Sequence, residues 1–124
     1  MQLQQRSALD LQAEAVKSAS QPEVKVFYLD GRKIASKEEF LREVAEAMDF
    51  PTYFGYNWDA FDECIRDLNW LPAQKYIVIY DRPDIFARAQ PEQWQIAQEI
   101  LQSAAHHWQE SGRLMEVWVL SLLN

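Results

Sequence analysis

The sequence predicts an α/β fold: a small three-stranded parallel sheet packed with helices, in the order β-α-α-β-α-β. Three short runs, at 24–29, 75–80 and 114–123, are apolar or rich in β-branched and aromatic residues, which is the composition of strands. Helical patterns lie in the connections between these runs. Because a crossover through a helix joins strands that run in the same direction, and is almost always right-handed, we expect a mainly parallel sheet.

Turn and capping signals support the first half of this order. The run VKVFYL at 24–29 ends in an Asp-Gly pair, which is typical of turns. Ser36 and Glu39 then match the capping box, and apolar residues at helical spacing follow them. We therefore predict a strand at 24–29 and a helix at 37–48. Further on, Pro51 interrupts the pattern, and Asn57 is placed to cap a second helix.

The second helix is predicted over 58–69. The elements after it are predicted from signals of their own. The run KYIVIY at 75–80 is almost continuously apolar, as in a strand buried on both faces. Residues 81–90 are expected to form a loop with up to one helical turn. Pro91 suits the first position of a long helix, which Gly112 closes before the last strand.

The composition is typical of one globular domain preceded by an extension. With 124 residues, of which 48% are hydrophobic and 3 are glycine, the chain can bury a core without disulfides or metals. Residues 1–23 are rich in Gln and Ala and lack an apolar stripe. We expect 1–23 to be a flexible or helical extension and 24–124 to be the domain.

Charge and cysteine content exclude some classes of function. The single cysteine, Cys64, cannot form an internal disulfide, which indicates a reducing compartment and predicts a cytoplasmic protein. No apolar run approaches about 18 residues, and no signal peptide is recognisable, so we expect neither membrane insertion nor secretion. A net charge of −7 disfavours nucleic-acid binding and favours a basic partner.

The predicted second helix carries most of its charge on one face. Its acidic residues fall at offsets of 0, +3, +4 and +8, with one arginine among them: Asp59, Asp62, Glu63, Asp67 and Arg66. A separate stripe of Phe61, Ile65 and Leu68 is suited to the core. Like charges at this spacing destabilise a helix slightly, so a role other than helix stability is indicated.

Two interpretations of the acidic face stay open at this point. The simpler one is a solvated helix face. The other is a protein-binding surface, because Tyr53 and Tyr56 precede the helix on a loop with Gly55, and Trp58 lies at the helix start. Tyrosine and tryptophan provide large contact areas at low entropic cost and are frequent anchors of interfaces.

The segment FPTYFGYNWDAFDECI at 50–65 resembles the central signature of the barstar family, the intracellular inhibitors of barnase-like ribonucleases. The matching residues, in order, are Pro51, Tyr53, Phe54, Gly55, Asn57, Asp59, Ala60 and Cys64. A looser similarity covers about 24–123, and the first 23 residues lie outside it. The order of elements is also the one that the family implies.

The resemblance implies a mechanism in which the loop and the helix enter the active site of a ribonuclease and carboxylates replace substrate phosphates. Tyr53 and Asn57 would be loop contacts beside Gly55, and Asp59 an acidic contact at the helix start. Glu63 falls at the position of the family's central phosphate-mimicking aspartate. The far rim of the same surface would be formed by Arg66 and Asp67.

Three departures from the family pattern affect the expected target. Asp62 stands where the type protein of the family has an interface tryptophan, and Glu63 is one methylene longer than the expected aspartate. An acidic contact on the family's last helix aligns near His107. We therefore expect the target to be a barnase-like or toxin ribonuclease other than barnase itself.

Other functions fit the residues less well. A non-inhibitory adaptor on the same fold is the main alternative, because Asp62 and Glu63 break the family's contact set. His106 and Glu110 have a spacing that a metal could use, and the carboxylates could in principle catalyse hydrolysis. The sequence has neither a cysteine cluster nor a second catalytic element, so we expect no enzyme activity, no metal and no cofactor.

Overall fold

A computed structural model describes residues 4–6 and 23–120 of the chain. Its sheet contains the three predicted strands, β2 (Val24–Asp30), β3 (Lys75–Asp81) and β4 (Leu114–Leu120), and one short additional strand, β1 (Gln4–Arg6). The order across the sheet is β1-β4-β3-β2, and every neighbouring pair is parallel. The predicted α/β class and the parallel pairing are thus confirmed.

Four α-helices occupy the connections: α1 (Lys37–Ala47), α2 (Trp58–Asp67), α3 (Asp84–Ala89) and α4 (Pro91–Glu110). Three of them are the predicted helices, with ends shifted by one or two residues. α2 ends at Asp67 because Leu68 adopts a left-handed conformation, with φ of 47°. α3 is a six-residue helix in the segment that the sequence predicted as a loop with up to one turn.

β1 lies inside the segment that we expected to be flexible or helical. Its three residues pair with the end of β4, Gln4 opposite Trp118 and Arg6 opposite Leu120. No strand was predicted there, because a Gln-Gln-Arg run has neither β-branched residues nor alternation. The expectations for 1–3 and 7–22, and the predicted strand residues 121–123, lie outside the described part of the chain.

The sheet divides the core into two unequal parts. On one face, Phe27, Tyr76 and Val78 are buried with the apolar sides of the helices. On the other face, Ile77 and Trp118 belong to a smaller cluster. β3 is therefore buried on both faces, as its continuous apolar run predicted.

Local side-chain bonds fix where α1 and α2 begin. The Ser36 hydroxyl accepts from the Glu39 amide at 3.2 Å, and the Glu39 carboxylate accepts from the Ala35 amide at 2.8 Å. The Asn57 side-chain oxygen accepts from the Ala60 amide at 2.8 Å. The bonds to the Glu39 and Ala60 amides satisfy first-turn donors that lack a partner within their helices, and the bond from Ala35 holds the chain just before α1.

The turn after β2 requires a glycine. Gly31 is buried in a short 3-10 helix, and a Cβ at this position would overlap the backbone oxygens of Asp81 and Arg82. The close approach joins the carboxyl ends of β2 and β3.

Within the described residues, no helix is both long enough and apolar enough to cross a bilayer.

Candidate protein-binding surface

The apolar side of α2 is anchored in the core. Phe61, Ile65 and Leu68 have no exposed surface, and Cys64 is 6% exposed. The Trp108 indole N–H of α4 donates to the Ile65 carbonyl at 2.9 Å, which ties the last turn of α2 to its neighbour. These contacts fix the rotation of α2 and turn its opposite face towards solvent.

The outward face of α2 is acidic, as the spacing predicted. Asp59, Glu63 and Asp67 are exposed. Asp62 is half-buried, and its carboxylate pairs with the Arg66 guanidinium at 3.1 Å. Arg66 thus offsets the charge of Asp62 locally, while three exposed carboxylates stay available to a basic partner.

The loop before α2 exposes two aromatic side chains. Tyr53 is 75% exposed and Tyr56 is 57% exposed. Between them Phe54 is buried, with its ring 4.9 Å from that of Phe50 and 4.7 Å from that of Tyr56. Tyr56 is therefore partly ordered by its contact with a buried phenylalanine, as interface anchors often are.

The backbone of this loop is held in an unusual conformation. Tyr56 has φ of 52°, a left-handed value that costs a side-chain-bearing residue about 1–2 kcal/mol. Gly55 is exposed, and its carbonyl accepts from the Asn57 side-chain N–H at 3.3 Å. Asn57 therefore both caps α2 and braces the turn that presents Tyr56.

Trp58 is positioned differently from the two tyrosines. Its ring is half-buried, 5.6 Å from the ring of Phe40, and its N–H donates to the Gln93 side chain at 2.9 Å. Lys37 Nζ lies 5.9 Å from the Trp58 ring centroid. The indole consequently joins α2 to α1 and α4, and it exposes only part of its surface.

A groove of about 320 Å³ runs between α2 and α4 on the same side of the molecule. Its lining comes from both helices: Trp58, Asp59, Asp62, Ile96, Glu99, Ile100 and Ser103. Glu99 was not among the residues predicted from the sequence, because only the packing of α4 beside α2 brings its carboxylate near the acidic face. The one feature of the sequence that could have pointed to Glu99 was its charge at a solvent-facing position of α4.

The other titratable side chains form simpler arrangements. His106 and Glu110 are an exposed pair 3.5 Å apart, and the described residues contain no group of three side chains placed to hold a metal. Burial raises the pKa of the Cys64 thiol, as do the charges of Asp67 and Glu63. A raised pKa disfavours the thiolate, so Cys64 is a poor nucleophile.

His107, which the sequence resemblance aligns near an acidic contact of the barstar family, is half-buried on α4. Its ring lies 5.6 Å from that of Trp108. The position is therefore occupied by an aromatic, nitrogen-bearing side chain where the family pattern has a carboxylate.

Comparison with known proteins gives one result that spans most of the chain. The family model described as Barstar (barnase inhibitor) matches residues 24–119. The matched region contains β2, β3, all four helices and all but the last residue of β4, and it excludes β1. No curated protein matches the chain in sequence.

Proposed function

The chain belongs to the barstar family, and from that premise we propose that it is a protein inhibitor which binds and blocks the active site of a barnase-like or toxin ribonuclease. The observation that carries the proposal is the exposed acidic face of α2 next to the loop that exposes Tyr53 and Tyr56. The proposed contact residues are Tyr53, Gly55, Asn57, Asp59, Asp62, Glu63, Arg66 and Asp67.

Electrostatic complementarity supports this choice of partner. A ribonuclease active site binds phosphates and is therefore expected to be rich in Arg, Lys and His. Carboxylates at Asp59, Glu63 and Asp67 offer the charge that such a site normally receives from its substrate. Close charge pairs of this kind contribute about 1.5–7 kcal/mol in the complex of barnase with barstar, the family's type protein, on which that range was measured.

The site is also held in place before binding. α2 is capped by Asn57 and buried along Phe61 and Ile65, so its carboxylates need little ordering when the partner arrives. The pair between Asp62 and Arg66 limits the mobility of two further side chains. An ordered acidic helix loses less conformational entropy on binding than a flexible acidic segment would.

The residue types in the surface support a target other than barnase. Asp62 supplies a carboxylate, already paired with Arg66, where the type protein has an aromatic anchor. Glu63 places its carboxylate one methylene further from the helix, which changes the geometry of a bidentate pair with arginine. We place the inhibitor in the cytoplasm, because the buried Cys64 is a free thiol.

The test is a pull-down from the native cell, followed by a nuclease assay of the retained protein and by binding to a panel of barnase-like and toxin ribonucleases. We expect Asp59→Ala and Glu63→Ala each to weaken the complex by about 1 kcal/mol or more, which is about a fivefold rise in Kd. Glu23→Ala is the control, because Glu23 is exposed and lies outside the proposed surface.

Two results would contradict the proposal. One is a bound nuclease whose affinity is the same for Asp59→Ala, Glu63→Ala and the control. The other is retention of a protein without nuclease activity together with silence across the ribonuclease panel, which would favour the adaptor role instead.

A further inference from the structure

The face of the sheet opposite the helices is apolar, and we call it the second face. Among the described residues, its cluster consists only of strand side chains: Val24, Val26, Ile77, Ile79, Trp118 and Leu120. Ile77 has no exposed surface, and Trp118 is 1% exposed. Side chains on one face of a sheet stand next to each other, roughly perpendicular to it, and do not cover one another. Their burial therefore requires a further layer of chain over this face.

The connection from β1 to β2 has to cross the full width of the sheet. β1 ends at Arg6 on one edge, and β2 begins at Val24 on the opposite edge, with β4 and β3 between them. All neighbouring pairs are parallel, so the chain also returns from the carboxyl end of β1 to the amino end of β2. Three strand spacings are about 14 Å, and seven strand residues are about 23 Å long. Residues 7–23 are enough for this diagonal, since a helix of that length measures about 26 Å and an extended chain about twice as much.

The handedness of the connections selects the face on which this crossover lies. α1 and α2 connect β2 to β3, and α3 and α4 connect β3 to β4, so the chain moves across the sheet in one direction with its helices on one face. The step from β1 to β2 moves in the opposite direction. Crossovers between parallel strands are almost always right-handed, and a reversal of direction therefore places this crossover on the second face.

We propose that residues 7–22 pack over the second face, an inference that does not rest on the proposed function. The face is thus an internal docking surface for a segment of the same chain, and that segment precedes the region that matches the barstar family. A segment used in this way is not free to recruit a partner, and it withholds the apolar face from a second copy of the chain. The acidic face of α2 lies on the helix side of the sheet and stays open to a partner.

The composition of this segment suits a layer between an apolar sheet and water. It combines apolar and charged residues along its length: Leu9, Leu11 and Val16; Asp10, Glu14 and Lys17. The first set supplies surface to bury on the sheet, and the second keeps the opposite side hydrated. Residues 1–3 and 121–124 also lie outside the described part of the chain, but three or four residues reach at most about 14 Å and cannot cover a face of this size.

Nuclear Overhauser effects in the full-length protein test the proposal. With uniformly ¹³C,¹⁵N-labelled chain, we expect contacts from the Ile77 methyl groups or the Trp118 ring to the methyl groups of Leu9, Leu11 or Val16. An isotope-filtered experiment on mixed labelled and unlabelled chains should show none of these contacts between molecules. Contacts that appear only between molecules would assign the face to a second copy, and the absence of any contact to 7–22 would equally overturn the proposal.

Paired substitutions provide a second arm. Leu11→Ser with Val16→Ser removes apolar side chains from the proposed layer, so it should lower the urea midpoint of unfolding by at least about 0.5 M and increase the binding of an apolar fluorescent dye. Leu11→Ala with Val16→Ala should give a smaller shift in the same direction, and it serves if the serine pair does not fold.

The matched control is Asp10→Ser with Lys17→Ser, which changes two charged residues of the same segment and keeps the net charge. We expect it to leave the midpoint nearly unchanged. Equal shifts in the apolar and the charged pair, or no shift in either, would contradict packing of this segment on the sheet. Neither arm depends on whether a nuclease binds, so the inference and the proposed function can fail separately.

Discussion

Two tyrosines of β3, both fully buried on the same face of the sheet, differ in the bonding of their hydroxyl groups. Tyr76 donates to the Leu71 carbonyl at 2.8 Å. The Tyr80 hydroxyl has no partner among the described residues, and burial raises the pKa of Tyr80. A buried polar group without a hydrogen bond destabilises the folded state, whereas a bonded one is close to neutral or favourable.

Removing the two hydroxyls should therefore have opposite effects on stability. Tyr80→Phe is expected to leave the free energy of unfolding unchanged or to raise it by up to about 1 kcal/mol, and Tyr76→Phe to lower it by about 1 kcal/mol. Urea denaturation of both variants measures the difference. Equal losses in the two variants would contradict the assignment of Tyr80 as the unbonded hydroxyl.

At the same scale, the type of a residue was easier to interpret from the sequence than its burial. Asp62 and Arg66 were recognised as charged residues of one helix face, and at their i, i+4 spacing they form an ion pair in the structure. Trp58 was expected beside the tyrosines as an exposed anchor. Its half-burial depends on Phe40, a residue 18 positions away, and no local pattern reports such a contact.

At the scale of single elements, the start of α2 determines the geometry of the proposed site. The Asn57 side chain bonds the Ala60 amide at 2.8 Å and the Gly55 carbonyl at 3.3 Å. One residue therefore orients both the acidic helix and the tyrosine loop. The capping signal was visible in the sequence, because side chains of this type favour N-cap positions for a local reason.

Loss of this cap should destabilise the protein measurably. Asn57→Ala is expected to lower the free energy of unfolding by about 1 kcal/mol, and Asn57→Ser, which retains a capping oxygen, by less. Thermal or urea denaturation provides the measurement. Asn69→Ala is the control, since Asn69 is exposed and follows the end of α2. If Asn69→Ala cost as much as Asn57→Ala, capping would not be the cause.

Elements whose origin is not local were the ones that could not be predicted from the sequence. β1 forms by pairing with the edge of β4, and the groove forms because α4 packs beside α2. The other strands, α1, α2 and α4 were predicted because their periodicity and caps are contained within each segment. The acidic face of α2 could accordingly be predicted from the sequence. The side of the groove that α4 forms could not, because it depends on how the two helices pack.

At the scale of the whole molecule, charge should govern how quickly the protein meets its partner. The net charge is −7, and the proposed surface concentrates carboxylates on one helix. Long-range attraction to a basic active site raises the association rate and is screened by salt.

The association rate constant with a nuclease partner is therefore expected to fall at least about tenfold between about 0.01 M and about 0.5 M salt, while the dissociation rate changes little. Stopped-flow mixing measures both rates. The double variant Asp59→Asn, Glu63→Gln should give a shallower salt dependence. A rate that did not depend on salt, or an unchanged slope in the variant, would contradict electrostatic steering by this face.

β1 also changes what β4 presents to other molecules. A strand at the edge of a sheet offers unpaired N–H and C=O groups to any extended chain, and such pairing leads to aggregation. Gln4, Gln5 and Arg6 pair with the last three residues of β4 and so occupy that position, and a strand of three residues is a short edge for further pairing. β1 thus shortens the stretch of β4 that is open to such pairing, a role that is separate from the surface that we propose binds a nuclease.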